Sequence, residues 1–157
     1  MDSKKFKILF VCLGNYCRSP AAHAIMEDMI IKKNLKNKII VDSCGTSAYE
    51  AGELPDYRMR NVCKKRGIKC EHIVRRMTKS DLDNNDLIVV MDNNNYNNVL
   101  YSGADEKKVK KMIDFVSNKK GQYIIPDPYH GDESDFEFAV DLIVDGCEGI
   151  LRKYKYI

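Results

Sequence analysis

Short apolar runs alternate with stretches of helical periodicity along almost the whole chain. The first run, Phe6–Cys12, is rich in Ile, Val and Phe and predicts a buried strand. Further strands are predicted at residues 38–41, 86–91 and 109–116, with a weaker extended stretch at 68–74. Strands that alternate with helices form a parallel sheet covered by helices, with right-handed crossovers. The sequence therefore predicts an α/β sandwich whose ligand site lies at the carboxyl ends of the strands.

Prolines, glycines and apolar stripes mark the helices. Ser19-Pro20 opens the first one, because a proline in the first turn loses no hydrogen bond. A second helix is predicted at residues 56–66, where Gly67 stops it. The Asn-rich segment 93–98 is either a low-complexity loop or, given its apolar flanks, a short helix, and we expect the helix. The C-terminal segment predicts a long amphipathic helix.

Composition bounds the class of protein. The chain has 157 residues with no linker or internal repeat, which predicts one domain over residues 1–157 and a monomer by default. A net charge of +3 is too small to imply nucleic-acid binding. The lysine-rich segment 107–111 includes an apolar residue, so we interpret it as a solvated edge rather than a nucleic-acid surface. No apolar stretch approaches the roughly 20 residues of a membrane span.

The chain contains six cysteines, which are Cys12, Cys17, Cys44, Cys63, Cys70 and Cys147. The apolar run at residues 8–13 is too short for a secretory signal, so we expect a reducing, cytoplasmic location instead of a disulfide framework. No Cys-x-x-Cys occurs and the three histidines lie far apart in sequence, so we predict neither a metal site nor a cofactor. The last four cysteines are interpreted as core residues.

The segment from Cys12 to Ser19 follows the first strand and has the pattern Cys-x5-Arg. Five residues between the cysteine and the arginine can wrap around a tetrahedral phosphate with their N–H groups inward, and the next helix points its N-terminus at the same place. Gly14 permits close approach of the backbone, and Asn15 tolerates a positive φ. The predicted phosphate- and substrate-binding residues of this loop are Leu13, Gly14, Asn15, Tyr16, Cys17 and Ser19.

Two side chains of this loop carry the predicted chemistry. Arg18 can bind two phosphate oxygens at once, and Cys12, supported by a hydrogen bond from Ser19, can attack the phosphorus as a thiolate. The alternative is that Cys12 is only a buried strand residue, as free cysteines usually are. The combination of a preceding strand, an internal Gly-Asn and a Ser-Pro helix start favours the catalytic interpretation.

The run Val-Cys-Leu-Gly-Asn-Tyr-Cys-Arg-Ser-Pro at residues 11–20 resembles the signature of low-molecular-weight protein tyrosine phosphatases. The resemblance continues at residues 42–46, 67–75, 91–92 and 127–129. It implies a three-layer sandwich around a small, twisted, parallel sheet of about four strands. It also implies metal-free, two-step hydrolysis of phosphotyrosine proteins or small aryl phosphates through a phosphocysteine. Inorganic phosphate would then be the product and an inhibitor.

Asp127 lies between Pro126 and Pro128 and is the candidate general acid and base. Taken without the resemblance, it is equally well a helix-capping acid. The acids that follow, Asp132, Glu133 and Asp135, are better suited to the N-terminus of the last helix. The resemblance places the side chains of Tyr49 and Tyr129 at the mouth of the site, as walls for an aromatic ring.

Other side chains are predicted to support the loop. His72 and Ser43 resemble residues that brace Asn15, and Asp42 is expected to pair with His72 and keep it charged, whereas His23 is expected to be partly exposed.

Cys17 is the predicted redox partner of Cys12, because it can capture the oxidised nucleophile as a disulfide. The alternative is a small apolar residue at the base of the loop.

Two other functions compete with phosphatase activity. An arsenate reductase of the same fold needs relay cysteines, and residues 80–92 contain none. A phosphate receptor without catalysis would not need Asp127 in its proline-flanked loop.

Overall fold

The computed structural model describes residues 4–157. Its centre is a parallel sheet of four strands in the order β2-β1-β3-β4. The strands are β1 Phe6–Cys12, β2 Ile39–Gly45, β3 Leu87–Val90 and β4 Val109–Lys111. The chain passes from β1 to β2 on one side and later returns to form β3 on the other side of β1, so the strand order reverses beside β1. Ligands of open α/β sheets bind at such a reversal, outside the carboxyl ends of the strands, and Cys12 is the last residue of β1.

Within residues 4–157, five α-helices and two 3-10 turns cover the sheet. The α-helices are α1 Arg18–Lys32, α2 Tyr57–Lys65, α3 Lys79–Asn84, α4 Asn93–Tyr101 and α5 Glu133–Lys153, and the 3-10 turns are Glu106–Lys108 and Met112–Phe115. None of the helices in the described part of the chain is long and apolar enough to cross a membrane.

The two faces of the sheet are buried in separate clusters, because successive strand residues point to opposite sides. Ile8 and Phe10 pack with α1, α2 and α5, whereas Leu9 and Val11 pack with residues of α3 and α4, among them Val99. The predicted three-layer α/β sandwich with a four-stranded parallel sheet is therefore confirmed.

The N-terminus of α5 follows the acid-bearing loop and is capped by its own acids. Asp132 accepts hydrogen bonds from the backbone N–H groups of Ser134 and Asp135, and the Asp135 carboxylate accepts one from the N–H of Asp132. This reciprocal capping box confirms the prediction for these acids and ends the preceding loop at a defined point.

Three predicted elements differ from the structure. β2 runs on to Gly45, where it pairs with the end of β1. Residues 68–74 form no strand, since the backbone of Val74 pairs with the loop residues Gly52 and Glu53. The predicted strand 109–116 is only three residues long and continues as a 3-10 turn packed against α5, where Gly149 leaves room for it. Helix α3 was not predicted from the sequence.

Candidate active site

Cys12 lies at the floor of the loop between β1 and α1. It is 3% exposed, and a hydrogen bond of 3.0 Å joins its Sγ to the hydroxyl of Ser19 in the first turn of α1. The extension of β2 supports the loop from behind, because the N–H of Thr46 donates to the carbonyl of Cys12 and that of Ser47 to the carbonyl of Leu13. The thiol therefore faces the helix N-terminus, where anions bind well.

Asn15 holds the shape of this loop. Its φ is +52°, as expected, and its side chain is fully buried. The amide nitrogen Nδ2 donates to Ser19 Oγ at 2.9 Å and Ser43 Oγ at 3.1 Å. Oδ1 accepts from the backbone N–H of Arg75 at 3.0 Å and lies 3.1 Å from His72 Nε2. The structure thus brings the predicted supports Ser43 and His72 to Asn15, and it adds Arg75, which was not predicted.

Arg18 is buried and aimed across the loop. Its Nη1 donates to Asp92 Oδ2 at 2.9 Å and to the carbonyl of Ile125 at 3.0 Å, while Nη2 lies 3.8 Å from Asp127 Oδ2. Burial lowers the pKa of the guanidinium, but the charges of Cys12 and the two aspartates outweigh it and the net shift is upward. Arg18 is therefore a permanent cation in a fixed orientation.

Asp92 was given no role from the sequence, although it orients Arg18. Its other oxygen accepts from the backbone N–H of Asn95 and caps α4 at 2.8 Å. Its position in the sequence could have identified Asp92 as a site residue, because it lies two residues after the carboxyl end of β3, where ligand sites of parallel sheets form.

A cavity of about 300 Å³ opens above the loop. It is lined by Cys12, Leu13, Gly14, Tyr16, Cys17, Arg18, Tyr49, Glu50, Asp127, Tyr129 and His130. Among the predicted phosphate- and substrate-binding residues, only Asn15 and Ser19 do not line it, and both are buried beneath the loop. Glu50 and His130 were not predicted as lining residues.

Asp127 reaches the cavity from the loop before α5. One oxygen accepts the backbone N–H of Tyr129 at 3.1 Å, which holds the side chain in a turn, and the other faces Arg18. The side chain is about half exposed, so the carboxyl group can exchange protons with solvent. A buried thiol, a cation and a carboxyl group therefore share one cavity.

The walls of the cavity are aromatic. The rings of Tyr16 and Tyr129 have centroids 6.2 Å apart, and the guanidinium of Arg58 lies 5.4 Å from the centre of the Tyr129 ring. Tyr49 is 78% exposed at the rim. The cavity that contains the Cys12 thiol is therefore lined by aromatic rings, which suit contact with another flat ring.

Cys17 lines the same cavity and is the residue before α1 begins. Burial raises the pKa of its thiol well above the ordinary value, so Cys17 stays protonated beside Cys12. Cys44, Cys63, Cys70 and Cys147 are buried and do not line the cavity, in agreement with their interpretation as core residues.

Asp42 Oδ1 lies 4.0 Å from His72 Nδ1, which is the expected pairing. Burial, followed by the neighbouring charge of His23, nevertheless lowers the pKa of His72, because the opposing effect of Asp42 is smaller. The expectation for His23 is wrong. His23 is buried rather than partly exposed, with Nδ1 3.0 Å from Ser43 Oγ and Nε2 3.0 Å from Glu27 Oε1.

Comparison with known proteins agrees with this geometry. A family model described as low molecular weight phosphotyrosine protein phosphatase matches residues 7–156. The protein of that name from Gallus gallus is 40% identical over 148 residues, which are 93% of this chain and 94% of the relative.

Solved structures show the same likeness. The crystal structure of a protein tyrosine phosphatase from Entamoeba histolytica, with Hepes in its active site, is 42% identical with a TM-score of 0.92, covering 97% of this chain and 98% of that one. A Drosophila arginine phosphatase is 32% identical with a TM-score of 0.87, covering 96% of this chain and 98% of its own. The chain thus belongs to the low molecular weight phosphotyrosine protein phosphatase family.

Proposed function

We propose that this protein hydrolyses phosphotyrosine in proteins, and small aryl phosphates, through a phosphocysteine on Cys12. One observation carries the proposal: Cys12, Arg18 and Asp127 line a single cavity with tyrosine walls. Membership of the family supports the same reaction. Inorganic phosphate is the second product and competes with substrate for the loop.

In the first step the thiolate of Cys12 attacks phosphorus and the bond from phosphorus to the phenolic oxygen breaks. The leaving oxygen takes its electron pair and receives the proton of the Asp127 carboxylic acid. Arg18 and the inward N–H groups of the loop stabilise the charge on the three equatorial oxygens, as preorganised donors do in phosphoryl transfer. Asp92 and Ile125 keep the guanidinium oriented while this happens.

In the second step a water molecule attacks the phosphocysteine. The Asp127 carboxylate now takes a proton from the water, the S–P bond breaks, and its electrons return to Cys12 as thiolate. Phosphate leaves and the carboxyl group is protonated again, so the cycle closes. The hydrogen bond between Ser19 and Cys12 stabilises the thiolate that departs.

The test is hydrolysis of 4-nitrophenyl phosphate in the presence of EDTA. Cys12→Ser is expected to be inert, and Asp127→Asn to lower kcat by about 10²- to 10⁴-fold with little change in phosphate affinity. Glu133→Gln is the matched control, because it removes a surface carboxylate that pairs with Lys65 near the same loop. An active Cys12→Ser protein, or equal rates for Asp127→Asn and the control, would overturn the mechanism.

Because a Drosophila arginine phosphatase has a similar structure, the type of phosphorylated residue that this protein acts on needs its own argument. The aromatic walls formed by Tyr16, Tyr49 and Tyr129 support a phosphotyrosine ring over an aliphatic phosphoarginine. We expect kcat/KM for a phosphotyrosine peptide to exceed that for the matched phosphoarginine peptide. The opposite order would reassign the substrate and leave the phosphocysteine mechanism in place.

We also propose that Cys17 protects the nucleophile from irreversible oxidation. Peroxide converts the Cys12 thiolate to a sulfenic acid. The sulfur of the Cys17 thiol then attacks the sulfenic sulfur, the S–O bond breaks, and the hydroxyl group leaves with the thiol proton as water, so a disulfide forms. The presence of both cysteines in the lining of one cavity supports this pairing. Activity lost to peroxide should return fully with dithiothreitol. Incomplete recovery of the wild type, or equal recovery in Cys17→Ser, would contradict the role.

We propose that the protein is a cytoplasmic monomer. All six cysteines are free thiols, which suits a reducing compartment and a nucleophile that must stay unoxidised. Light scattering coupled to size exclusion checks the monomer, and fractionation of cells checks the compartment.

A further inference from the structure

Two histidines that are 49 positions apart in the sequence (His23 and His72) meet behind the phosphate-binding loop. Their ring centroids are 4.7 Å apart, one ring on α1 and the other in the loop after α2. Asp42 of β2 completes the group, and one ligand-capable atom of each of these three residues lies within 4.8 Å of the others. This His-Asp-His cluster does not line the cavity that contains Cys12 and Arg18.

The hydrogen bonds around His72 define which nitrogen is available. Asn15 Oδ1, 3.1 Å from Nε2, can only accept, so Nε2 carries the proton in the neutral ring. Nδ1 then has a free lone pair, and it faces Asp42 Oδ1 at 4.0 Å. The neutral imidazole is the form that binds a metal ion, and in this tautomer it does so through Nδ1.

The other donors are also suited to a cation. Asp42 Oδ2 is engaged by Arg75 Nη2 at 2.8 Å, which leaves Oδ1, an acceptor of the Ser43 N–H, facing the histidines. His23 is held between Ser43 Oγ and Glu27 Oε1, each at 3.0 Å, and a bound metal would replace one of these bonds. Two imidazoles and a carboxylate are a donor set that favours Zn²⁺ among divalent cations.

The cluster has an entrance and room to adjust. A cavity of about 420 Å³ is lined by both histidines of the cluster but not by Asp42, and Glu27, Glu71 and Lys69 line it as well. Ligand atoms around a tetrahedral zinc at 2.0–2.1 Å lie about 3.4 Å apart, so the donor atoms must close by at most about 1.4 Å. Rotation of the half-exposed Asp42 side chain supplies part of that movement.

We propose that His23, Asp42 and His72 form a binding site for Zn²⁺ outside the cavity that contains Cys12 and Arg18. With the metal on Nδ1 of His72, the proton on Nε2 is fixed in place and donates to Asn15 Oδ1. A metal-bound histidine whose other N–H is held by an oxygen is the usual arrangement at zinc sites. The metal would therefore brace the phosphate-binding loop through Asn15 without touching substrate.

The experiment uses Co²⁺ as a spectroscopic probe of the full-length Cys12→Ser protein, because the nucleophilic thiolate is itself a metal ligand. One equivalent of Co²⁺ should give weak visible bands without the intense charge-transfer absorption of thiolate ligands, and Zn²⁺ should displace it. Adding His23→Gln should weaken Co²⁺ binding by at least about tenfold. His130→Gln, which removes the one histidine outside the cluster, is the matched control and should bind as before.

Circular dichroism verifies that each variant is folded, and Asp42→Asn provides a second variant with the same expected loss. Nitrogen-15 spectra of the histidine rings give an independent readout in the Cys12→Ser protein, where Zn²⁺ should shift Nδ1 of His72 and leave Nε2 protonated. No binding by this protein, binding of equal strength after His23→Gln, or an unshifted His72 ring would overturn the proposal.

Discussion

The carboxamide of Asn15 is the part of the loop whose removal should have the clearest effect on the free energy of unfolding. It makes four hydrogen bonds while fully buried, at a φ of +52°. Asn15→Ala leaves His72 Nε2 and the N–H of Arg75 without their acceptor. Each lost hydrogen bond should lower the free energy of unfolding by about 1–1.5 kcal/mol. The Ser19 and Ser43 hydroxyls lose less, because each keeps another partner.

The backbone adds a further cost, since alanine tolerates a positive φ less well than asparagine by about 1 kcal/mol. The free energy of unfolding should therefore fall by about 3–4 kcal/mol in Asn15→Ala. Asn15→Gly removes the same hydrogen bonds without the backbone cost and should lose about 2–3 kcal/mol.

Asn34 provides the matched control. Its φ is +57°, it is exposed, and within residues 4–157 its side chain makes no hydrogen bond. Asn34→Ala should therefore show the backbone cost alone, about 1 kcal/mol.

Urea unfolding followed by circular dichroism measures all three variants, since the chain contains no tryptophan. In the folded state, kcat/KM of Asn15→Ala should also fall by more than tenfold, because the loop amides lose their fixed orientation. A loss of stability for Asn15→Ala within about 0.5 kcal/mol of that for Asn34→Ala would refute the assignment of the network as the support of the loop.

Two further predictions concern packing and pH. A methyl group on Gly149 would collide with the carbonyl oxygen of Phe115 and lie 2.9 Å from its carbon. Gly149→Ala should therefore lower the free energy of unfolding by about 1–3 kcal/mol in urea titrations, despite the better helix propensity of alanine. The loss should exceed that of Gly146→Ala, whose added methyl meets the side chains of Met112 and Val116 rather than backbone. A stabilised Gly149→Ala would contradict this packing. Burial raises the pKa of the Asp81 carboxyl, but hydrogen bonds from Arg75 and Thr78 bring it below its ordinary value. Wild type should therefore be more stable than Asp81→Asn above about pH 4, and this difference in the free energy of unfolding should disappear as the pH falls further. An equal difference in urea midpoints at pH 6 and pH 3 would disprove the prediction.

Local features were predictable from the sequence because they depend on residues close together in the chain. β1 occupies Phe6–Cys12 as predicted, since its apolar run is bounded by polar residues on one side and a Gly-Asn loop on the other. The helix in the Asn-rich segment and the long C-terminal helix were confirmed for the same reason. The spacing from Cys12 to Arg18 likewise sets the size of the loop, because five residues determine how far it can wrap.

Tertiary structure decided which side chains from distant segments complete the site. Asp92 orients Arg18 across 74 positions of sequence, and the Arg75 N–H reaches Asn15 across 60. The strand predicted through residue 116 ends at Lys111, because the 3-10 turn that follows packs on the glycines of α5. His23 and His72 lie on separate elements and became neighbours only when both packed beside β2, where burial and the charge of His23 lower the pKa of His72.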